Sequence, residues 1–164
     1  MKSIIIFRHG SANAAVEYER DYDRTLTPRG VKDAEKMGHY LSGKNMKPDL
    51  LLSSSAIRAK KTAEAAHAAG DWKSNFFLEP KIYGGSPYFL LELIKEQDNH
   101  HNSICLVGHE PNFSRFIIET SCLSHFYFPT AAMAKIDFKV QSFSEIEFNI
   151  GTLDWVIRPK DLNI

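Results

Sequence analysis

The chain has 164 residues, enough for one compact domain with a sizeable core. Acidic and basic residues balance at 20 each, which argues against nucleic acid or an anionic membrane surface as a partner, and a hydrophobic content of 43% is ordinary for a globular fold. Two cysteines are too few for a disulfide framework, the first apolar run is too short for a secretory signal, and no stretch is long enough to span a bilayer, so the sequence predicts a reduced, cytoplasmic protein with a single domain over residues 1–164.

Ile4-Ile5-Ile6-Phe7 reads as a short, fully buried strand that stops on Arg8, His9 and Gly10. A buried strand ending in two strongly polar side chains directs them at something, and ligands of open α/β sheets gather outside the carboxyl ends of the parallel strands. A polar, irregular loop follows from Ser11 to Thr25. A helix then starts with Thr27 as N-cap and Pro28 at its first position, with Leu26 and Val31 placed to form a hydrophobic staple. Val31, Ala34, Met37, Gly38 and Leu41 give it one apolar stripe, and Gly43 and Asn45 end it.

Leu50-Leu51-Leu52 is a second buried strand. It runs through Ser53-Ser54-Ser55, one of which is placed as an N-cap, into an alanine-rich helix that ends at Gly70. Arg58 falls in the first turn of that helix, where a cation opposes the helix dipole unless an anion sits between them. Asn75 to Leu78 reads as a strand, Pro80 to Pro87 as a loop, and Tyr88 to Gln97 as a helix with Phe89, Leu90, Leu93 and Ile94 on one face. His100 and His101 fall in a polar turn and read as solvent-exposed residues, with no third ligand at metal-site spacing.

Ser103 to Val107 repeats the opening pattern, with Cys105 as a small core residue: a buried strand ends in Gly108-His109, and Pro111 starts a helix buried through Phe113, Phe116 and Ile117. Ala131 to Phe138 and Thr152 to Ile157 read as strands that pair as a hairpin across Gln141 to Gly151.

Arg8, His9, Arg58 and His109 therefore all lie at strand-to-helix or strand-to-loop junctions, which a parallel sheet gathers on one edge. No glycine-rich phosphate loop or zinc motif competes for the site. Arginine forks match phosphate oxygens in pairs, and a neutral imidazole can attack phosphorus and hold a phosphoryl group. The pattern points to phosphoryl transfer by positioning and charge neutralisation.

Arg8-His9-Gly10, Leu26-Thr27-Pro28-Arg29-Gly30, Ser53-Ser54 through Arg58-Ala59 to Thr62-Ala63, and Gly108-His109 with Pro111 together resemble the histidine phosphatase superfamily, the phosphoglycerate-mutase-like proteins. The short length and the Asp154-Trp155 to Arg158-Pro159 ending resemble the SixA-type phosphohistidine phosphatases. The resemblance spans essentially the whole chain. It implies an α/β fold, a three-layer α/β/α sandwich with a mostly parallel central sheet. It implies His9 as the phosphorylated nucleophile, Arg8, Arg58 and His109 as the rest of the phosphate pocket, and neither metal nor cofactor.

Three positions depart from the pattern of that family. Ser55 stands where a proline often precedes the arginine motif. Glu110 follows the second histidine, where a carboxylate repels a dianion and so either points away or donates a proton. The middle of the chain offers Tyr83 and Gly84-Gly85 where larger members carry a general-acid glutamate. An ester substrate gains about 10²–10⁴-fold from such an acid, whereas the ring of a phosphohistidine takes its proton from solvent near a pKa of about 6.5. The sequence thus favours a phosphatase acting on phosphohistidine carried by a protein such as a histidine phosphotransfer domain. The alternatives are a small-molecule phosphomonoesterase using Glu110, Asp21 or Asp23 as donor, and a non-catalytic phosphate-sensing binder.

Overall fold

The apolar run at the start of the chain forms β1 (Lys2–Arg8), buried from Ile4 to Phe7. In the structure, a computed structural model that describes residues 1–162, it is followed by α1 (Pro28–Gly43), β2 (Leu50–Ser53), α2 (Ile57–Ala69), β3 (Asn75–Leu78), α3 (Pro87–Lys95), β4 (Ser103–Gly108), α4 (Asn112–Ser121), β5 (Met133–Phe138) and β6 (Thr152–Ile157). The strands make one sheet in the order β3-β2-β4-β1-β5-β6. β1 to β4 are mutually parallel, and β5 runs against both β1 and β6. The fold is α/β, and the expected hairpin of β5 and β6 forms.

Alternating side chains of each strand build two cores. Ile5 and Phe7 of β1 pack with Met37 and Leu41 of α1 and with Ala59 and Ala63 of α2. Ile4 and Ile6 pack on the opposite face with Leu90 and Ile94 of α3 and with Phe116 and Ile117 of α4. The sheet is thus covered by helices on both sides, which is why β2 and β4 read as unbroken apolar runs.

This arrangement fixes where a ligand belongs. β1 and β4 are neighbours, yet the chain leaves β1 toward α1 on one face and β4 toward α4 on the other. Connections that diverge from adjacent parallel strands open a crevice at their carboxyl ends. The register pairs Arg8 with Gly108 and Ser53 with Val107, so the three polar strand ends sit at nearly one level.

Three local expectations are corrected. Val31 is 37% exposed and lies off the buried stripe of α1, which starts at Gly30 instead. A side chain on Gly30 would meet the Ser11 carbonyl oxygen at 2.3 Å, and only the bare glycine lets α1 press against the loop after β1. The N-cap of α2 is Ala56 rather than a serine; Ser54 accepts from the Ala56 N–H and turns toward His109. His101 is buried, because its ring stacks on His100 and its carbonyl, with that of Asn99, accepts from the Lys2 ammonium. Thr27 does cap α1, accepting from Gly30 N at 3.0 Å.

α1 and α2 cross at Gly38, where a β-carbon would lie 2.3 Å from the Ala66 carbonyl oxygen. Alanine gains about 1 kcal/mol in helix propensity, but prying two packed helices apart costs about 1–3 kcal/mol, and at that distance the clash wins. Gly38→Ala is expected to lower the midpoint of thermal unfolding by several degrees. Gly43→Ala, in the same helix with open space around the new methyl, is expected to leave it unchanged or raised.

Candidate active site

His9 follows β1 directly and is 8% exposed. Its Nδ1 lies 2.7 Å from the Gly10 carbonyl oxygen. A carbonyl only accepts, so Nδ1 carries the proton and the lone pair is on Nε2. Nε2 in turn accepts from Arg58 Nε at 3.3 Å. Burial, reinforced by the guanidiniums of Arg58, Arg8 and Arg24, lowers the pKa of His9 to about 4 against the pull of the Gly10 carbonyl. At neutral pH the ring is uncharged and its nucleophilic nitrogen has a fixed orientation.

His109 follows β4, and its ring centroid lies 5.3 Å from that of His9. Its Nε2 is 2.8 Å from Ser54 Oγ. Ser54 is fully buried and its hydroxyl has no other acceptor among the described residues, so its proton points to His109 and the imidazole proton sits on Nδ1. That Nδ1 is buried with no hydrogen-bond partner. Burial, followed by the neighbouring His9 and Arg58, lowers the pKa of His109 to about 3.

Arg8, at the end of β1, donates from Nη1 to the Phe128 carbonyl at 2.9 Å, while its buried Nε has no partner. Among the described residues no carboxylate forms an ion pair with it. Arg58, in the first turn of α2, is 6% exposed, and each of its three nitrogens makes a hydrogen bond. Besides His9, it donates to Asp21 twice, from Nη1 to the main-chain oxygen at 2.7 Å and from Nη2 to Oδ2 at 2.9 Å. Thr62 locks the turn beneath: its hydroxyl donates to the Arg58 carbonyl at 2.7 Å and accepts from Gly10 N at 3.0 Å.

The structure thus gathers these four residues around one spot. Two buried donors there, Arg8 Nε and His109 Nδ1, lack acceptors, and each such group costs about 1–3 kcal/mol when left unmade. A tetrahedral oxyanion offers the missing acceptors. Glu110 turns elsewhere: its Oε1 accepts from Ser114 N at 2.7 Å, in the first turn of α4. Asp23 pairs with Arg20 at 2.8 Å, in the loop after β1. No group of three or more metal-ligating side chains occurs among the described residues, and no helix is long and apolar enough to cross a membrane.

Sequence reasoning gave Asp21 only as one possible proton donor and left Tyr83 without a role. Their meeting could not be read from spacing. Tyr83 Oη donates to Asp21 Oδ2 at 2.7 Å, its ring meets His109 edge-on with 5.3 Å between centroids, and it packs against Tyr22 as well. Arg24 Nη1 reaches Asp21 Oδ1 at 2.9 Å. The Tyr83 hydroxyl and the two arginines hold the Asp21 carboxyl well below the usual carboxylate range.

Comparison with known proteins agrees with this geometry. The family model of the histidine phosphatase superfamily (branch 1) matches residues 4–77. An uncharacterized protein of Mycobacterium tuberculosis is 32% identical over 104 residues, 63% of each chain, and one of Picosynechococcus sp. is 30% identical over 116 residues, 69% of each. The match spans less than two thirds of the length of the first of these relatives. Among solved structures, a putative phosphohistidine phosphatase SixA from Agrobacterium tumefaciens superposes with a TM-score of 0.83 at 25% identity, covering 96% of this chain and 98% of that one. A protein histidine phosphatase SixA complexed with tungstate gives 0.78 at 23% identity over 98% and 99%. A putative α-ribazole-5'-P phosphatase from Escherichia coli shares the fold at 0.70 and 18% identity, covering 97% and 98%.

Inorganic phosphate, by engaging the two unpartnered donors, is expected to stabilise the protein. At a concentration 100 times its dissociation constant it contributes about 2.7 kcal/mol, a rise of about 5–10 °C in thermal midpoint for a chain of this size. Arg8→Ala and His109→Ala should each remove most of that rise in a thermal-shift titration.

Proposed function

Because the chain belongs to the histidine phosphatase superfamily, we propose that it is a phosphatase working through a phosphorylated His9, and that its substrate is phosphohistidine on a protein. One observation carries this reading. His9 is a neutral imidazole whose Nδ1 proton is tied to Gly10, leaving Nε2 as a lone pair aimed into a pocket of two arginines and a second histidine.

In the first step Nε2 attacks phosphorus, the bond to the leaving group breaks, and its electron pair leaves with that group. In the second, water attacks phosphorus and the electron pair returns to Nε2. Charge on the transferring group is met by the Arg8 and Arg58 guanidiniums and by the Nδ1–H of His109. No step calls for a metal or cofactor, since fixed cations supply the neutralisation.

The state of the nearby carboxylates favours phosphohistidine over an ester. Glu110 is bonded to a helix N–H, Asp23 is paired with Arg20, and Asp21 is held ionised by its three partners. Asp21 thus carries no proton for an alkoxide and the other two are turned to other partners, whereas a phosphohistidine protonated on its free ring nitrogen departs as neutral imidazole. A phosphorylated histidine phosphotransfer domain is the partner this reading proposes, met in the cytoplasm.

His9→Ala is expected to abolish turnover while retaining phosphate binding, and rapid alkaline quenching of the wild type should trap an acid-labile phosphate on the peptide containing His9. With p-nitrophenyl phosphate, whose stability permits the measurement, kcat/KM should hold as pH falls to about 5 and drop below about 4, where the ring gains its proton. A trapped phosphate on another residue, or substantial turnover by His9→Ala, overturns the mechanism. In an excess of EDTA the wild-type rate should be unchanged; a loss restored by added Mg²⁺ or Zn²⁺ contradicts the metal-free mechanism.

A further inference from the structure

We propose that Asp21 determines specificity at this site: its carboxylate faces the leaving group and accepts the N–H of a departing imidazole, which favours N-phosphorylated substrates over phosphate esters. The inference rests on the phosphatase reading above and adds a residue that selects its substrate class.

The geometry of one guanidinium carries the argument. Arg58 Nε and Nη2 form its side-on edge, the pair of parallel N–H groups that matches two oxygens of a phosphoryl group. In the structure one of them goes to His9 Nε2 at 3.3 Å and the other to Asp21 Oδ2 at 2.9 Å. Nucleophile and carboxylate therefore stand at opposite ends of the edge against which a phosphoryl group would lie. In-line transfer sends the leaving group away from the nucleophile, toward the Asp21 end.

Burial agrees with that direction. His9 is 8% exposed, whereas the Asp21 side chain is 49% exposed. Asp21 is on the solvent side, where a protein-borne substrate must enter and its histidine must leave. The carboxylate is also held from several directions. Tyr83 and Arg24 bind it from outside, and the loop that carries it is closed at its base by Asn13 N to the Thr25 oxygen and Thr27 N to the Ser11 oxygen, at 2.8 and 2.9 Å.

A carboxylate so placed treats the two kinds of leaving group differently. In a phosphohistidine protonated on its free ring nitrogen, the P–N electron pair passes to the ring as P–Nε2 of His9 forms. The product is a neutral imidazole whose N–H can donate to Asp21, and positive charge on the ring before transfer is attracted to it. An ester gives up an oxyanion, which the same carboxylate repels.

The test compares Asp21→Asn and Asp21→Ala with the wild type on phosphoimidazole and on p-nitrophenyl phosphate. The ratio of kcat/KM for the phosphoramidate to that for the ester should fall about 10- to 100-fold in both variants, the loss of one charge-assisted hydrogen bond. Inorganic phosphate should bind each variant as tightly as, or more tightly than, the wild type, because Arg58 remains and a like charge is gone. Equal losses on both substrates, or an unchanged ratio, overturn the proposal and leave Asp21 as a support for Arg58. A wild type that turns over neither substrate rejects the underlying phosphatase reading instead.

Discussion

Arg58 places a fixed positive charge, almost out of contact with water, in the first turn of a helix whose own dipole is positive there. Alone that arrangement is unfavourable by several tenths of a kcal/mol to about 2 kcal/mol, and a buried guanidinium without partners costs far more. It persists because Asp21 supplies a carboxylate and a carbonyl and His9 a lone pair. The dependence runs both ways. Arg58 and Arg8 help to keep His9 unprotonated, and an unprotonated His9 is what lets Arg58 Nε find an acceptor. A charged His9 would have no lone pair to offer and would face two guanidiniums. The site is therefore a cluster of cationic and neutral donors whose internal carboxylate stands at one end of the guanidinium edge.

The fold makes that cluster possible with few residues. Divergence of the chain at β1 and β4 leaves a crevice between two adjacent strand ends, and the Arg8–Gly108 register brings His9 and His109 side by side across it. β2 adds Ser54 and the start of α2 from the other side of β4. The three segments are interlocked by short polar bonds rather than by long side chains: His9 N to the Gly108 oxygen, Ser54 N to the Val107 oxygen, and Thr62 between Gly10 and Arg58. Such bonds fix the placement of the side chains around the crevice, as the proposed phosphoryl transfer by positioning requires.

Much of this was legible in the sequence, for a definite reason. Buried parallel strands are apolar on both faces, so their polar ends stand out, and Arg8, His9 and His109, with Arg58 at the helix start that follows β2, are identifiable as one edge from the sequence. The α1 start at Thr27 and Pro28 was equally plain. What stayed hidden depended on contacts between segments distant in sequence. Asp21 and Tyr83 are 62 residues apart and meet only because the loop after β1 and the turn before α3 cover the same crevice. Val31 reads as apolar and sits next to the stripe, but the tight approach of Gly30 to Ser11 rotates it to the surface. Ser54 looks like a helix cap until the lone pairs of His109 are counted.

That counting also explains how one residue type fills two roles a few ångströms apart. Both imidazoles are buried and both are kept neutral, so charge does not tell them apart. The difference lies in which nitrogen is tied and by what. In His9 a carbonyl holds Nδ1, the proton is fixed there, and Nε2 is left as a nucleophile. In His109 a buried hydroxyl with no other acceptor donates to Nε2, the proton sits on Nδ1, and the ring becomes a donor. A backbone oxygen and a serine thus leave one histidine with a free lone pair and the other with a free N–H, the two roles that the proposed transfer asks of them. Exchanging the two partners would reverse both assignments without altering the pocket's charge, so the division of labour is held in the hydrogen-bond directions of Gly10 and Ser54 rather than in the histidines themselves.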